Sequence, residues 1–118
     1  MVNDDINNYV PGRGDIIEID FNPQTGKEQA GKRPALVLSP EKYNGKTGLA
    51  IMCPITNQIK GYPFEVRLPQ SQKCTGVILS DHIKNLDWQS RNAKFIERIS
   101  LKTLDEVLSK LAAILGQN

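Results

Sequence analysis

From Asp15 to Phe21 the residues DIIEIDF alternate: Ile17, Ile19 and Phe21 fall on one face and Glu18 and Asp20 on the other, the period of a half-buried strand. The next stretch, NPQTGKEQAGK, is polar or small throughout and holds two glycines, so it predicts a long loop. Loops near this length without structure of their own are often functional. PALVLS resumes as a short buried strand with Pro34 first, where a strand tolerates the missing donor. EKYNGKTG carries an Asn44-Gly45 turn signal, and LAIMCPIT predicts a third strand. A second loop, NQIKGYP, leads to FEVRL, where Phe64, Val66 and Leu68 face one way and Glu65 and Arg67 the other. PQSQKCTG is another turn-rich link, GVILS a fifth short strand, and a single helical turn is expected around His82 to Leu86. NAKFIERIS offers a sixth strand.

A helix closes the chain. Leu101, Leu104, Leu108, Leu111 and Leu115 recur at three and four, with Val107 and Ile114 widening the stripe, so this face is expected to pack on the sheet. Thr103 and Glu106 have capping-box spacing, Ser100 is a rival cap, and Gly116 can end the helix. The expected fold class is therefore mainly β with a C-terminal α-helix, folded into a small, strongly bent barrel or sandwich.

Composition narrows this further. A chain of 118 residues fits one domain with a single core, and 39% apolar residues suffice to build it. Residues 1–8 read as a polar, flexible extension and 9–118 as the domain. Fifteen Lys and Arg against thirteen Asp and Glu leave a formal charge of +2, which neither demands nor excludes nucleic acid, because a local patch matters more than the total. Cys53 and Cys74 share no CxxC spacing and His82 is the single histidine, which argues against a closed zinc site within one chain. The start, MVNDDINNYVPG, is polar and acidic, so neither a signal peptide nor a membrane span is expected. The expected compartment is a reducing cytoplasm with both cysteines as free thiols, Cys53 in the core.

The first long loop carries the candidate chemistry. Arg33 precedes Pro34, so its backbone is held near the extended region, and Glu28 lies between Gly26 and Gly31 on the same loop. A carboxylate beside a guanidinium is a general base beside a charge clamp, the pair needed to cleave RNA through its own 2′-hydroxyl. Arginine stays protonated above pH ~12, so Glu28 is the candidate base and Arg33 the clamp. On spacing alone the pair reads more readily as a solvated ion pair worth ~0 to 1 kcal/mol. Thr56, at the end of LAIMCPIT, can aim a hydroxyl at this loop or satisfy backbone at a strand end.

YVPGRGDIIEIDFNPQTGKEQAGKRPALVLSPEKYNGKTG, then CPITNQIKGYPFEV and GVILSDHIKNLDW, resembles the MazF branch of the MazF/PemK toxin family from about Tyr9 to Gly116. The resemblance implies an SH3-like β-barrel of the MazF/PemK/CcdB kind acting as a homodimer. It implies an endoribonuclease that cuts single-stranded RNA at short sequence-defined sites without a metal or other cofactor, leaving a 2′,3′-cyclic phosphate and a 5′-hydroxyl. It further implies silencing by a cognate MazE-like antitoxin, with operator DNA bound only through the toxin–antitoxin complex. Carried over by motif, the catalytic glutamate is Glu28, the catalytic arginine Arg33, and the threonine described for some members Thr56. A close relative has histidine before the arginine; here that position is Lys32. Lys27, Lys32, Lys60 and Lys84 lie in segments that would line an RNA groove, although solvated lysines give the same pattern. Phe21, Tyr62 and Trp88 offer rings for unpaired bases, with Phe21 best placed and the other two expected to pack. Asp81 and Lys84, in SDHIK, match positions near the family's groove. A gyrase-inhibiting toxin related to CcdB is the rival on the same fold, but it depends on a C-terminal tryptophan segment, and this chain ends AILGQN. A non-catalytic RNA-binding barrel is the other.

Overall fold

The structure is a computed structural model and describes residues 8–22 and 31–116. Among these, the elements run β1 (Asp15–Asp20), β2 (Lys32–Val37), α1 (Glu41–Thr47), β3 (Leu49–Thr56), β4 (Glu65–Arg67), β5 (Val77–Leu79), β6 (Lys84–Asp87), β7 (Lys94–Arg98) and α2 (Leu101–Ile114). The strands form one antiparallel sheet in the order β4-β5-β3-β2-β1-β7, with β6 joined to β3. The sheet branches at β3. One edge of that strand pairs with β2, while the other takes β6 along Leu49 to Met52 and then β5 at Ile55 and Thr56.

Alternation along the central strands feeds two apolar clusters. Ile16, Leu36, Cys53 and Ile55 pack with Val66, Ile78 and the α2 residues Leu104, Val107 and Leu111. Ile17, Ile19, Phe21, Ala35, Val37 and Met52 pack on the other side with Trp88. DIIEIDF is thus buried on both faces at its start, since Ile16 and Ile17 are both fully enclosed, and half-buried only beyond them. Each such isoleucine contributes about 1.5–3 kcal/mol by leaving water. The expected α2 stripe holds at its centre, but Leu101 and Leu115 are 75% and 74% exposed.

Four sequence expectations are corrected. Asn44-Gly45 does not turn; it lies within α1, and the left-handed residue is Gly48, whose N–H donates to the Asn44 carbonyl. Tertiary hydrogen bonds override the local turn signal. The Asn44 amide donates to the carbonyls of Pro11 and Ser39, and its Oδ1 accepts from Ser39 Oγ. The helical turn expected around His82 to Leu86 is largely the strand β6, drawn out by pairing with the long β3. Ser100, not Thr103, caps α2: its Oγ accepts the Thr103 N–H at 3.2 Å. Phe64 departs from its predicted face too, being 37% exposed where Val66 and Leu68 are buried.

Candidate active site

Glu28 and Lys27 lie outside the described residues. The structure describes both ends of the loop that carries them. The Phe21 N–H donates to the Gly31 carbonyl at 2.9 Å, and the Gly31 N–H donates to Asn22 Oδ1 at 3.0 Å. The Asn22 N–H in turn donates to Asp20 Oδ1 at 2.9 Å. Gly31 has φ +73, a left-handed conformation that costs a side chain ~1–2 kcal/mol, and it turns the chain directly into β2. β1 and β2 therefore leave and re-enter the loop at a fixed separation.

Strand register then brings two of the three predicted catalytic positions together. Arg33 pairs with Ile19 across β1 and β2. In β2 and β3, Ala35 pairs with Pro54, Leu36 with Cys53 and Val37 with Met52. Arg33 and Thr56 each lie two residues beyond the last pair of that register, and Thr56 itself pairs with Val77 of β5. Ile19 and Arg33 thus form a pair at the loop root, and Thr56 lies at the same end of the sheet, just beyond the last β2–β3 pair. By alternation Arg33 shares a face with Ala35 and Val37, and Thr56 shares one with Pro54 and Met52. The Arg33 side chain is half-buried, and Thr56 is only 4% exposed, its hydroxyl accepting the Gln58 N–H at 3.1 Å. A cation at the rim and a fixed hydroxyl at the same end of the sheet are groups suited to holding an anionic group.

Thr56 is held from behind by Gly76. That glycine has φ +107, and a Cβ on it would overlap the Thr56 carbonyl. Beyond the strand, Asn57 Oδ1 accepts from Thr75 Oγ1, and the Glu65 carboxylate accepts the N–H groups of Lys60 and Gly61 at 3.1 and 2.9 Å. The β3–β4 link is thereby ordered, with Lys60 on its exposed side.

Two of the three aromatic assignments reverse. Phe21, expected to offer its ring to a base, is 3% exposed and packed in the same cluster as Ile17, Ile19 and Trp88, because its backbone closes the loop root and turns the ring inward. Trp88 packs as expected, and its indole N–H donates to the Asn44 carbonyl at 3.0 Å. Tyr62, expected to pack, is instead 61% exposed beside Ile59 and Phe64, because the link it occupies is anchored through the Glu65 side chain and not through its ring.

The remaining basic positions are dispersed. Lys32 is exposed and, adjacent to Arg33 in β2, points to the opposite side, where it lines a small cleft with Glu18, Asp20, Arg91 and Lys94. Lys84 is half-buried in β6 and pairs with Met52, four residues or roughly 13 Å along β3 from Thr56. Asp81 is exposed, its carboxylate 3.9 Å from the His82 imidazole. Burial, then the nearby Asp81 charge, pushes the Cys53 thiol up to about 12, which makes it an inert core group. Among the described residues no three His, Cys, Asp or Glu side chains converge to hold a metal ion.

Arg91 and Asn22 organise this site without having been singled out from the sequence. The Arg91 guanidinium donates through Nη1 to the carbonyls of Asp20 and Asn22, at 3.0 and 2.6 Å. Asn22-Pro23 at a strand end is a local turn signal that could have flagged Asn22. Arg91 has no such signal.

The comparisons with known proteins agree with this architecture. Residues 12–115 match the family model described as the PemK-like, MazF-like toxin of type II toxin–antitoxin systems. The chain is 44% identical over 111 residues to the endoribonuclease toxin MazF of Escherichia coli K12, covering 94% of this chain and 99% of that one. The crystal structure of MazF (Form-I) from Deinococcus radiodurans superposes with a TM-score of 0.90 at 50% identity, over 92% of this chain and 99% of the other. A MazE–MazF crystal structure (Form-II) from the same organism superposes at 0.84 and 45% identity, over 94% and 100% of the two chains. With a family model spanning nearly the whole chain and the seven-stranded fold to match, this protein belongs to the PemK-like, MazF-like toxins of type II toxin–antitoxin systems.

Proposed function

We propose that this chain, an endoribonuclease toxin of the PemK/MazF-like family held in check by an antitoxin, cleaves single-stranded RNA at short sequence-defined sites without a metal ion. In this reading Glu28 takes the proton from a ribose 2′-hydroxyl, the 2′-oxygen attacks the adjacent phosphorus, and the bond to the 5′-oxygen breaks. The products are a 2′,3′-cyclic phosphate and a 5′-hydroxyl, the departing oxygen taking up a proton. Arg33 stabilises the charge that grows on the phosphoryl oxygens, and Thr56 helps to fix the phosphate. The observation that supports the reading is the Ile19–Arg33 pair at the root of the loop whose sequence contains Glu28, with Thr56 at the same end of the sheet.

The substrate lies along a groove completed by a second copy of the chain, since a site on the rim of one small sheet is shallow. Lys60, Lys84 and Asp81 contact RNA there, and Lys27 and Lys32 add phosphate contacts near the loop. A MazE-like antitoxin competes for this groove, and operator DNA is met only through that complex. The protein works in the cytoplasm. Among the described residues no helix is long and apolar enough to cross a membrane.

The test is cleavage of a long single-stranded RNA in EDTA by the parent chain and by Glu28→Ala and Arg33→Ala, with cut sites and end groups mapped. Discrete cuts with cyclic-phosphate ends, lost in both variants, are expected. Intact RNA in the presence of a folded parent protein would refute the reading, and metal-dependent cutting would refute the mechanism.

A further inference from the structure

The turn after β6 is unusually well fixed for a surface turn. The Arg91 N–H donates to the Asp87 carbonyl at 3.2 Å, the Asn92 N–H to the Gln89 carbonyl at 3.2 Å, and the Ala93 N–H to the Trp88 carbonyl at 3.0 Å. Asp87 Oδ1 accepts the Ser90 N–H at 3.0 Å. Trp88 is buried, 8% exposed, and its indole is tied to α1 through the Asn44 carbonyl. Asn44 is fully enclosed and bonded in turn to Pro11 and Ser39. Arg91 therefore projects from a platform continuous with the core.

What it reaches is the end of β1. The Asp20 N–H donates to the Arg91 carbonyl at 3.2 Å, and the Arg91 guanidinium returns two hydrogen bonds to the carbonyls on either side of Phe21. Those carbonyls belong to Asp20 and Asn22, the residues whose side chains and neighbours close the root against Gly31. Both carbonyls are thus held by one charged donor. Gly31 lies two residues before Arg33, and Ile19 is Arg33's cross-strand partner.

We propose that Arg91 is a positioning residue for RNA cleavage: it braces the root of the β1–β2 connection so that Arg33 is presented in one orientation to the scissile phosphate. The inference rests on the assignment of Arg33 as the clamp. Arg91 acts through the backbone of Asp20, Asn22 and Gly31, so its removal leaves the RNA-contacting groups in place but loosens their aim. Small displacements of that kind lower the rate of a positioned reaction far more than they lower affinity.

The experiment compares the full-length parent with Arg33→Ala, Arg91→Ala and Arg91→Lys. Single-turnover cleavage is measured at saturating RNA, and affinity is measured by anisotropy with a 2′-O-methyl RNA of the same sequence. Arg91→Ala is expected to cleave at least tenfold more slowly with the dissociation constant changed less than threefold. Added guanidinium at tens of millimolar should restore several-fold of the rate. The Phe21 and Gly31 amides should exchange at least tenfold faster while those of Ile55 and Ile78 hold. Faster exchange throughout the sheet would mark a general loss of stability and overturn the inference. So would a rate within twofold of the parent while Arg33→Ala is inactive. If Arg33→Ala cleaves like the parent, the underlying site assignment fails instead. Should Arg91→Ala not fold, Arg91→Lys decides, because its arm is one bond shorter. A three- to tenfold loss at unchanged affinity supports the brace, and a rate within twofold overturns it.

Discussion

Replacing Gly76 by alanine tests whether the seat of Thr56 is set by a close backbone approach. Gly76 has φ +107, and its added Cβ would overlap the carbonyl oxygen and carbon of Thr56 and approach Asn57 Oδ1. Backbone cannot swing aside as a side-chain end can, so β3 or β5 must move. Gly48 is the matched control: φ +76 at the end of α1, with nothing within 4 Å of a Cβ. For Gly48→Ala the left-handed conformation costs ~1–2 kcal/mol, offset by ~0.4–1 kcal/mol from a less free unfolded chain. The net loss is then about 0.5–1 kcal/mol. Gly76→Ala carries a conformational cost of ~1–3 kcal/mol and a further ~1–3 kcal/mol for forcing atoms into filled space, less the same offset. A net loss near 3 kcal/mol is a large part of the ~5–15 kcal/mol that holds a domain together. With a urea slope of ~1.5 kcal/mol per molar, the midpoint should fall by about 2 M for Gly76→Ala and by about 0.5 M for Gly48→Ala. Equal midpoints for the two variants would refute the close-approach argument and leave backbone conformation as the sole cost. Where Gly76→Ala remains folded, RNA cleavage should drop as well, since the strand pair that moves carries Thr56.

Three other outcomes follow from particular contacts. Asp15 is buried and accepts from Tyr9 Oη at 2.7 Å, the Gly12 N–H at 2.9 Å and Arg98 Nη1 at 2.6 Å, so Asp15→Ala should lose about 2–4 kcal/mol in urea unfolding, and a loss below about 1 kcal/mol would contradict it. Burial pushes the Glu97 carboxyl up, but the N–H groups of Cys74 and Lys73 outweigh it, and the acid ends below its ordinary 4.5. A folded-state value below the unfolded one means that the native state binds fewer protons. Its contribution is therefore full above pH ~5 and fades as pH falls through that range, and Glu97→Gln should flatten part of the loss in a pH series of unfolding midpoints. In thiol titration of the native protein Cys53, fully enclosed, should stay unreactive and half-buried Cys74 should react slowly, with both modified at once in denaturant.

The regular part of the fold was legible because it is written in local periodicity. The alternation of DIIEIDF, the apolar run LAIMCPIT and the leucine spacing of α2 each predicted an element that formed. Departures occur where distant partners decide. Asn44-Gly45 reads as a turn until Pro11, Ser39 and Trp88 engage Asn44 from three other segments. KNLD is too short and too polar to read as a strand, and only the free edge of β3 makes it one. At the candidate site, the motif picked out Arg33 and Thr56, but only the pairing of β2 with β3 puts them at the same end of the sheet. Arg91 was invisible because its partners lie 71 and 69 residues earlier in the chain. Phe21 and Tyr62 exchanged their expected roles because burial of an aromatic ring depends on which way its backbone enters a loop.

The chain has one tryptophan, and the fold has put it between the core and the turn that bears Arg91. Its ring rests in the cluster that contains Phe21, and its N–H reaches a carbonyl of α1. The protein therefore carries a built-in optical gauge three residues from Arg91. Emission from this indole reports the packing under the loop root without any label. A spectral change on adding RNA or antitoxin would register strain transmitted inward from the site, on the timescale of binding and in the unmodified chain.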